Sequence, residues 1–258
     1  MNRIEKVFKT LKGKERKAFI PYIMAGDPSL EKTEEVVSLL ERCGADIIEL
    51  GVPFTDPLAD GPTIQRAAER ALKGGVTLRR VLHLVNDLRR RTAIPLVLMT
   101  YYNPVFRYGE ERFVRDAVDA GVDGVIIPDL PPDEAGGLLD LSKKAGLATI
   151  FLLAPTSTND RVRKVAKASR GFIYYVSITG ITGSRISLDS FLKESVQGIQ
   201  RQSRKPVAVG FGVSNPEEAK AVSAFADGVI VGSAVVKKLR ESPEGLEAFV
   251  RELRGAIL

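Results

Sequence analysis

The fold of this chain is indicated most clearly by three consecutive segments: PLVLMT (95–100), EERFVRDAVDA (110–120) and GVIIP (124–128). The first and third are short runs rich in Val, Ile and Leu, the pattern of strands buried on both faces of a parallel sheet. The middle segment is longer and has helical periodicity, and Gly121 follows its last residue, as is typical at helix ends. Together they predict a strand–helix–strand unit.

The same alternation continues along the chain. Eight apolar runs predict strands at residues 18–24, 46–50, 95–100, 124–128, 148–153, 172–177, 206–210 and 228–231. Periodic segments predict helices between them, among them 30–43, 110–120, 132–145, 159–168, 188–200 and 216–224. An open doubly wound sheet and an eight-fold barrel both fit. Eight strands, a repeat of about thirty residues and the length favour the barrel. We therefore expect residues 1–258 to form a single (β/α)8 TIM-barrel domain with an extra N-terminal helix.

Composition narrows the class of protein. Hydrophobic residues make up 44% of the 258, enough for one substantial core. No stretch approaches eighteen uninterrupted apolar residues, so no membrane span is expected. The single cysteine, Cys43, cannot form an internal disulfide, and the first residues lack the apolar segment of a signal peptide. These features predict a cytoplasmic protein.

Basic residues are concentrated between Arg79 and Arg91, and the net charge is +6. Apolar residues lie among them at helical spacing, which predicts the solvated face of an amphipathic helix that also carries the only histidine, His83. The chain has no tryptophan and no recognised nucleic-acid motif, so nucleic-acid binding is not expected. The excess positive charge favours an anionic substrate instead.

A carboxylate interrupts a run that otherwise predicts a buried strand, DIIEL (46–50). Burying Glu49 is costly unless it is paired, protonated or used, and burial raises a carboxyl pKa toward neutrality. Asp60 lies on the proline-rich loop that follows. In a barrel, chemistry takes place at the carboxyl ends of the strands, which makes both residues candidates for divided acid and base roles. A structural glutamate held by backbone donors remains the alternative.

Glycine-rich sequences follow three of the later predicted strands: TGITGS (179–184), GFG (210–212) and GSA (232–234). Glycines let backbone N–H groups approach an anion, and a helix that begins at Ser233 would add its dipole. The loops after the last strands of a barrel are frequent phosphate sites. The pattern predicts a phosphorylated ligand.

Schiff-base, metal and nucleotide chemistry would each need residues that this sequence does not provide. No strand interior holds a lysine for a Schiff base, one histidine cannot build a multi-histidine metal site, and no nucleotide phosphate loop occurs. Carboxylate acid–base chemistry without a cofactor or metal remains. A magnesium ion bound by Glu49, Asp60 and Asp129 is the alternative.

Seven blocks of the sequence resemble, in order and spacing, the tryptophan synthase alpha chain family. They are FIPYIMAGDP (19–28), ELGVPFTDPLADGP (49–62), MTYYNP (99–104), PDLP (128–131), GITG (180–183), GFGV (210–213) and GSA (232–234). The second block matches the family's central signature nearly throughout, and the resemblance covers essentially the whole chain.

The resemblance implies cofactor-free cleavage of indole-3-glycerol phosphate to indole and glyceraldehyde 3-phosphate. It implies that Glu49 exchanges protons with indole C3 and the glycerol hydroxyl, and that Asp60 holds the indole N–H. The residues implied to bind substrate are Tyr22, Ile64, Met99, Ile126, Tyr174 and Phe211 around the indole ring, and Thr182, Gly183, Gly210, Gly212, Gly232 and Ser233 around the phosphate and the lid.

The resemblance also implies a beta-chain partner in an alpha2beta2 assembly, with the pyridoxal phosphate belonging to that partner. The residues implied to face it or to move with it are Pro53, Asp56, Asn103, Pro104, Phe106, Asp129, Pro131 and Pro132. The segment 178–188 would form a lid. Tyr22 and Met99 replace Phe and Leu of some members, and Ile178 stands where some carry Arg. A non-catalytic activator and another phosphosugar lyase or isomerase are the rival readings.

Overall fold

A computed structural model describes residues 1–176, 190–210 and 212–257 of the protein. Its strands are β1 Ala18–Met24, β2 Ile48–Gly51, β3 Leu96–Met99, β4 Gly124–Ile126, β5 Ala148–Ile150, β6 Leu152–Leu153, β7 Ile173–Val176, β8 Val207–Gly210 and β9 Gly228–Val231. Its helices are α1 Arg3–Gly13, α2 Leu30–Arg42, α3 Pro62–Lys73, α4 Leu78–Leu88, α5 Tyr102–Tyr108, α6 Glu110–Ala120, α7 Gly136–Ala145, α8 Asn159–Ala168, α9 Ser190–Ser203, α10 Pro216–Ser223, α11 Ser233–Glu241 and α12 Leu246–Ala256, with a short 3-10 turn at Pro243–Gly245.

The strands form a parallel barrel. Within the described residues, neighbouring strands follow the order β5-β4-β3-β2-β1-β9-β8-β7-β6. β5 and β6 are consecutive halves of one predicted strand, so the sheet closes on itself: β5 pairs with β4, and β6 pairs with β7. The division lies at Phe151, whose amide N–H donates to the Ser169 hydroxyl at 3.4 Å. The predicted eight-fold barrel is confirmed.

The strands could be predicted from the sequence because they are buried on both faces. Every residue of β1, β2, β3 and β4 is buried, as expected when helices cover one face and the barrel interior the other. The strand bounds lie within two residues of those predicted, apart from the division at Phe151. Ser177, the last residue of the predicted strand 172–177, lies outside the described residues.

The extra N-terminal helix, α1, covers the end of the barrel opposite the expected site. Asn2 caps it, since its side chain accepts from the amide of Ile4 at 2.9 Å while the Glu5 carboxylate accepts from the amide of Asn2 at 3.2 Å. Ile4 is fully buried, and the ring of Phe8 packs against Phe172, with centroids 5.6 Å apart. This apolar face closes the amino-terminal end of the strands.

Two predicted helices differ at their ends. α7 begins at Gly136 and not at residue 132, because the amides of Glu134 and Ala135 both donate to the Pro131 carbonyl, at 3.0 and 3.1 Å, in a turn that precedes the helix. The helix predicted at 188–200 continues to Ser203, and its first residues lie outside the described chain. No described helix is long and apolar enough to cross a membrane.

One arginine of the basic segment is not solvated as predicted. His83 is exposed on α4, as expected, but Arg89 turns inward and its guanidinium lies 2.6 Å from the Asp123 carboxylate. Asp123 is 4% exposed and also accepts from the amide of Leu96 at 3.0 Å. The pair ties the end of α4 to the starts of β3 and β4, so part of the positive charge is structural.

Candidate active site

A cavity of about 230 Å³ opens at the carboxyl ends of the strands. Nine of the residues predicted for the site line it: Tyr22, Glu49, Asp60, Ile64, Met99, Tyr174, Gly212, Gly232 and Ser233. Thr182, Gly183 and Phe211 lie outside the described residues. Ile126 and Gly210 are not among the described residues that line the cavity, and their contact with the substrate stays a prediction. Ile126 is fully buried beside Met99 in the next strand, behind the wall of the cavity.

Glu49 is buried in this cavity. It lies in β2, paired in register with Tyr22 of β1 and Val97 of β3, and is 1% exposed. Neither carboxyl oxygen has a hydrogen-bond partner among the described residues. Burial, and secondarily the charge of Asp60, raises the pKa of Glu49 to about 8. The alternative of a glutamate held by backbone donors is therefore not supported by the described structure.

Asp60 occupies a more polar position on the loop between β2 and α3. Its amide donates to the Pro57 carbonyl at 3.0 Å, and its own carbonyl accepts from the Gln65 side chain at 2.8 Å. Burial raises the pKa of Asp60 to about 6, and a hydrogen bond from the Tyr101 hydroxyl opposes that rise. At neutral pH, Asp60 is therefore mostly ionised while Glu49 is mostly protonated, so Glu49 can give a proton while Asp60 offers a fixed negative charge.

Tyr101 is a site residue that sequence reasoning missed. It is 4% exposed, just beyond the end of β3, and its ring packs on Phe54 with centroids 5.4 Å apart. Its hydroxyl accepts from the amide of Ala59, the residue before Asp60, at 3.0 Å. The only signal in the sequence is its place directly after the third strand, where side chains face the site.

Two tyrosines each cross a glycine on the neighbouring strand. A β-carbon on Gly51 would overlap the hydroxyl of Tyr22, and a β-carbon on Gly210 would overlap the hydroxyl of Tyr174. Gly210 thus makes room for Tyr174. Burial raises the pKa of both tyrosine hydroxyls, so both remain protonated beside Glu49. Both tyrosines line the cavity.

The expected phosphate region lies at the start of α11. Gly232 precedes this helix, and Ser233 and Ala234 begin it at the cavity. Gly212, on the loop after β8, has a φ of 90°, a conformation that favours glycine. The first amide N–H groups of a helix have no partner within it, and its dipole favours an anion there. This edge of the cavity is suited to a phosphate.

The expected partner loops surround the mouth of the barrel. Asp56, Asn103 and Asp129 are exposed, Pro104, Pro131 and Pro132 are half-buried, and Pro53 is buried. Phe106 is 66% exposed and Leu58, which was not predicted, is 94% exposed. The Asp129 carboxylate accepts from the amide of Tyr102 at 2.9 Å, which joins two of these loops.

The magnesium alternative lacks its ligands in the part of the chain that the structure describes. No group of three or more His, Cys, Asp or Glu side chains there could hold a metal ion. Asp129 is bound to the start of α5 and does not join Glu49 and Asp60 at the cavity.

Comparison with known proteins agrees with this geometry. The sequence model of the family described as "Tryptophan synthase alpha chain" matches residues 8–256. A tryptophan synthase alpha chain of Geotalea daltonii is 53% identical over 93% of this chain and 91% of its own length. One from Geobacter sulfurreducens is 50% identical over 100% of this chain and 99% of its own.

Solved structures of tryptophan synthase alpha chains have the same fold as this chain. The tryptophan synthase subunit alpha of Legionella pneumophila superimposes with a TM-score of 0.93 at 41% identity, over 100% of this chain and 98% of that one. A chain of tryptophan synthase from M. tuberculosis, in an aminoacrylate-bound form, gives a TM-score of 0.91 at 40% identity over 100% of both chains. The chain described here belongs to the tryptophan synthase alpha chain family.

Proposed function

We propose that Glu49 moves the protons and Asp60 stabilises the charge in the reaction that this chain catalyses, the cleavage of indole-3-glycerol phosphate to indole and glyceraldehyde 3-phosphate. The observation that carries the assignment is a buried carboxyl with no hydrogen-bond partner among the described residues, sharing one cavity with a second carboxyl in a more polar setting. Environments that separate the pKa values of two carboxyl groups give the groups different roles, because one stays protonated while the other stays ionised.

Glu49 acts first as an acid. It is protonated at neutral pH because burial raises its pKa to about 8. It gives its proton to indole C3, which leaves a positively charged indolenine and a carboxylate. The carboxylate then takes the proton of the hydroxyl next to the ring. The bond between that carbon and C3 breaks, its electron pair returns to the ring, and the hydroxyl carbon becomes an aldehyde. Glu49 ends protonated, as it began.

Asp60 acts as a fixed negative charge. It is ionised at neutral pH, accepts a hydrogen bond from the indole N–H and stabilises the indolenine while it is positive. A preorganised charge in a site that excludes water does this more effectively than solvent. Because Asp60 would be neutral below about pH 6 and Glu49 ionised above about pH 8, activity should be highest between these values.

The rest of the cavity binds the substrate. Ile64 and Met99 give apolar surface for the indole ring, between the two tyrosines. The amides at Gly212, Gly232 and Ser233, with the dipole of α11, bind the phosphate. Ile126 supports the wall from behind. Phe211, Thr182 and Gly183 complete the set as predictions from the family resemblance.

The family also brings a beta chain as partner, and we propose an alpha2beta2 assembly in which indole passes to it. The exposed side chains of Leu58 and Phe106 on loops around the cavity mouth support a contact there, since large apolar side chains that are this exposed often mark interaction surfaces. We further propose a single domain over residues 1–258 and a cytoplasmic location, where the free, buried Cys43 stays reduced.

The assignment is tested by Glu49→Gln, which keeps the shape of the side chain but cannot exchange the proton. Indole release should fall by about 10²–10⁴-fold, while binding of the non-cleavable analogue indole-3-propanol phosphate is retained. Glu111→Gln, at an exposed glutamate of α6, is the matched control and should leave both unchanged. Turnover by the Glu49 variant within a few-fold of the parent overturns the assignment.

Two measurements address the rival functions. Indole release by the purified chain without a partner contradicts a non-catalytic activator. Tight, saturable binding of the analogue contradicts a lyase or isomerase for a different phosphosugar.

A further inference from the structure

Asp27 and Arg70 form a two-point ion pair between the loop after β1 and the last turn of α3. The Nε of Arg70 donates to one carboxylate oxygen of Asp27 at 2.8 Å, and its Nη2 donates to the other at 2.6 Å. Asp27 is 5% exposed, and the Arg70 side chain is 31% exposed. A guanidinium bound at two points to a carboxylate fixes direction as well as distance. The pair therefore holds the end of α3 at one place against the loop.

The loop after β1 that receives this ion pair is itself well anchored. The amide of Ala25 donates to the carbonyl of Gly51, at the end of β2, at 2.9 Å. The amide of Gly26 donates to the hydroxyl of Thr33 on α2, also at 2.9 Å. Gly26 has a φ of 86°, and a β-carbon there would overlap the side chain of Val76, which follows α3. The loop is thus joined to the barrel and lies in close contact with the segment after α3.

The rest of α3 contributes little to fixing its position along its own axis. The helix packs against β1 and α11, and its buried residues are Ile64, Ala67, Ala68 and Ala71. Packed helices interlock through the ridges that their side chains form, and alanine has no atoms beyond the β-carbon. Among the side-chain hydrogen bonds of α3 to other described elements, those of Arg70 alone join the helix to a neighbouring part of the fold.

The opposite end of α3 carries part of the site. Asp60 and Gly61 directly precede the helix, Ile64 lies in its first turn, and all three line the cavity. The Gln65 side chain donates to the Asp60 carbonyl at 2.8 Å, which attaches Asp60 to the start of the helix. Because its backbone hydrogen bonds make a helix stiff, a shift of the last turn along the axis moves the first turn with it.

We propose that Asp27 and Arg70 are positioning residues for Asp60, their ion pair fixing α3 along its axis and so setting how far Asp60 and Ile64 project over the cavity. The inference rests on the proposed function, in which Asp60 faces the indole N–H. It assigns neither residue of the pair a contact with the substrate. A misplacement of about 1 Å, even from a change far from the reacting atoms, can cost about 10²-fold in rate, so a small shift of α3 is enough to matter.

The pair is tested by Arg70→Met, Asp27→Asn and the double variant. We expect each single variant to lower kcat by about 10- to 100-fold. The double variant should lower kcat no further, because either change alone breaks the pair. KM should change less, since the phosphate edge of the cavity is formed by other elements. Arg70→Lys keeps the charge but cannot form the fork, so its kcat should lie between those of the parent and Arg70→Met.

Arg89→Met is the matched control, because it removes another ion pair between an arginine and a buried aspartate, at the opposite end of the strands. It should lower the free energy of unfolding in urea, as Arg70→Met does, but leave kcat within a few-fold of the parent. An equal loss of kcat in these two variants would show general destabilisation and overturn the inference. Normal kcat in Arg70→Met, or additive losses in the double variant, would overturn it as well.

A second measurement does not depend on catalysis. Amide hydrogen exchange over residues 60–66 of the full-length chain should be faster in Arg70→Met than in the parent, because that end of α3 is no longer held. Arg89→Met should leave exchange in this range unchanged. Unchanged exchange there in Arg70→Met overturns the inference, even if kcat falls. If exchange responds as expected but the parent chain releases no indole, the proposed function is overturned instead.

Discussion

Replacing Glu49 by Gln should remove a pH-dependent loss of stability from the folded chain, while it lowers turnover by about 10²–10⁴-fold. The folded chain raises the pKa of this carboxyl from 4.5 to about 8, so it favours the protonated form. The contribution of this carboxyl to the free energy of unfolding is therefore fully present below pH 4.5 and is lost as the pH rises toward 8. The reason is that Glu49 ionises at a lower pH in the unfolded chain than in the folded one. One pKa unit corresponds to about 1.4 kcal/mol, so the loss is about 1 kcal/mol at pH 5, about 3 kcal/mol at pH 7 and about 5 kcal/mol above pH 8.

Glutamine has no proton to lose, so its variant escapes this penalty. The free energy of unfolding, measured with urea at pH 5, 6, 7 and 8, should therefore rise in Glu49→Gln relative to the parent by about 2–3 kcal/mol between pH 5 and 7. Burying an uncharged amide could also cost stability, but that cost would be the same at every pH. It would shift all the unfolding free energies of the variant equally and would not change how its difference from the parent varies with pH. Glu111→Gln, at an exposed position, should show no such slope. A difference between Glu49→Gln and the parent that stays constant from pH 5 to 8 would refute the reasoning.

Four further outcomes are expected. Asp60→Asn should lose about 10²–10³-fold in kcat, because an amide holds the indole N–H but does not offset the indolenine charge; normal turnover would make Asp60 structural. EDTA should leave the indole-forming rate unchanged, since proton transfer and a fixed charge need no Lewis acid, and a loss restored by Mg²⁺ would contradict this. Asp123→Ala should cost about 3–5 kcal/mol in urea unfolding, because it leaves Arg89 buried and unpaired; a cost below about 1 kcal/mol would exclude that role. A stoichiometric beta chain should raise the rate, and Thr182→Val should weaken the enhancement more than it weakens phosphate binding, which equal activation of both forms would contradict.

The barrel could be predicted because its signals are local. Runs of Val, Ile and Leu such as β9, Gly228–Val231, match the observed strand at both ends, and α6, Glu110–Ala120, does so because Gly121 ends it in the left-handed conformation. Strand order then follows from the chain, since consecutive strand–helix units place neighbours in sequence beside one another. Glu49 was identifiable for the same reason: a carboxylate in an apolar strand is visible without the fold.

Contacts between distant segments could not be predicted from local sequence patterns. The direction of Arg89 toward Asp123, and the crossing of Tyr22 over Gly51, depend on which side chains the closed barrel brings face to face. The amino-acid pattern near Arg89 is the same whether it points to solvent or to a buried carboxylate. The pairing of β5 with β4 and of β6 with β7 likewise depends on closure of the barrel.

The chain's sequence thus determined the strands, the helices, the barrel and the two carboxylates, because hydrophobic periodicity, glycine stops and an isolated buried charge are properties of short segments. Tertiary structure decided the protonation states of those two carboxyl groups. Closure of the barrel leaves Glu49 without a partner among the described residues and places the hydroxyl of Tyr101, forty-two residues along the chain from Ala59, against the loop that holds Asp60. Desolvation and hydrogen bonding act through space, so the proton affinities on which the chemistry depends arise only when the chain has folded.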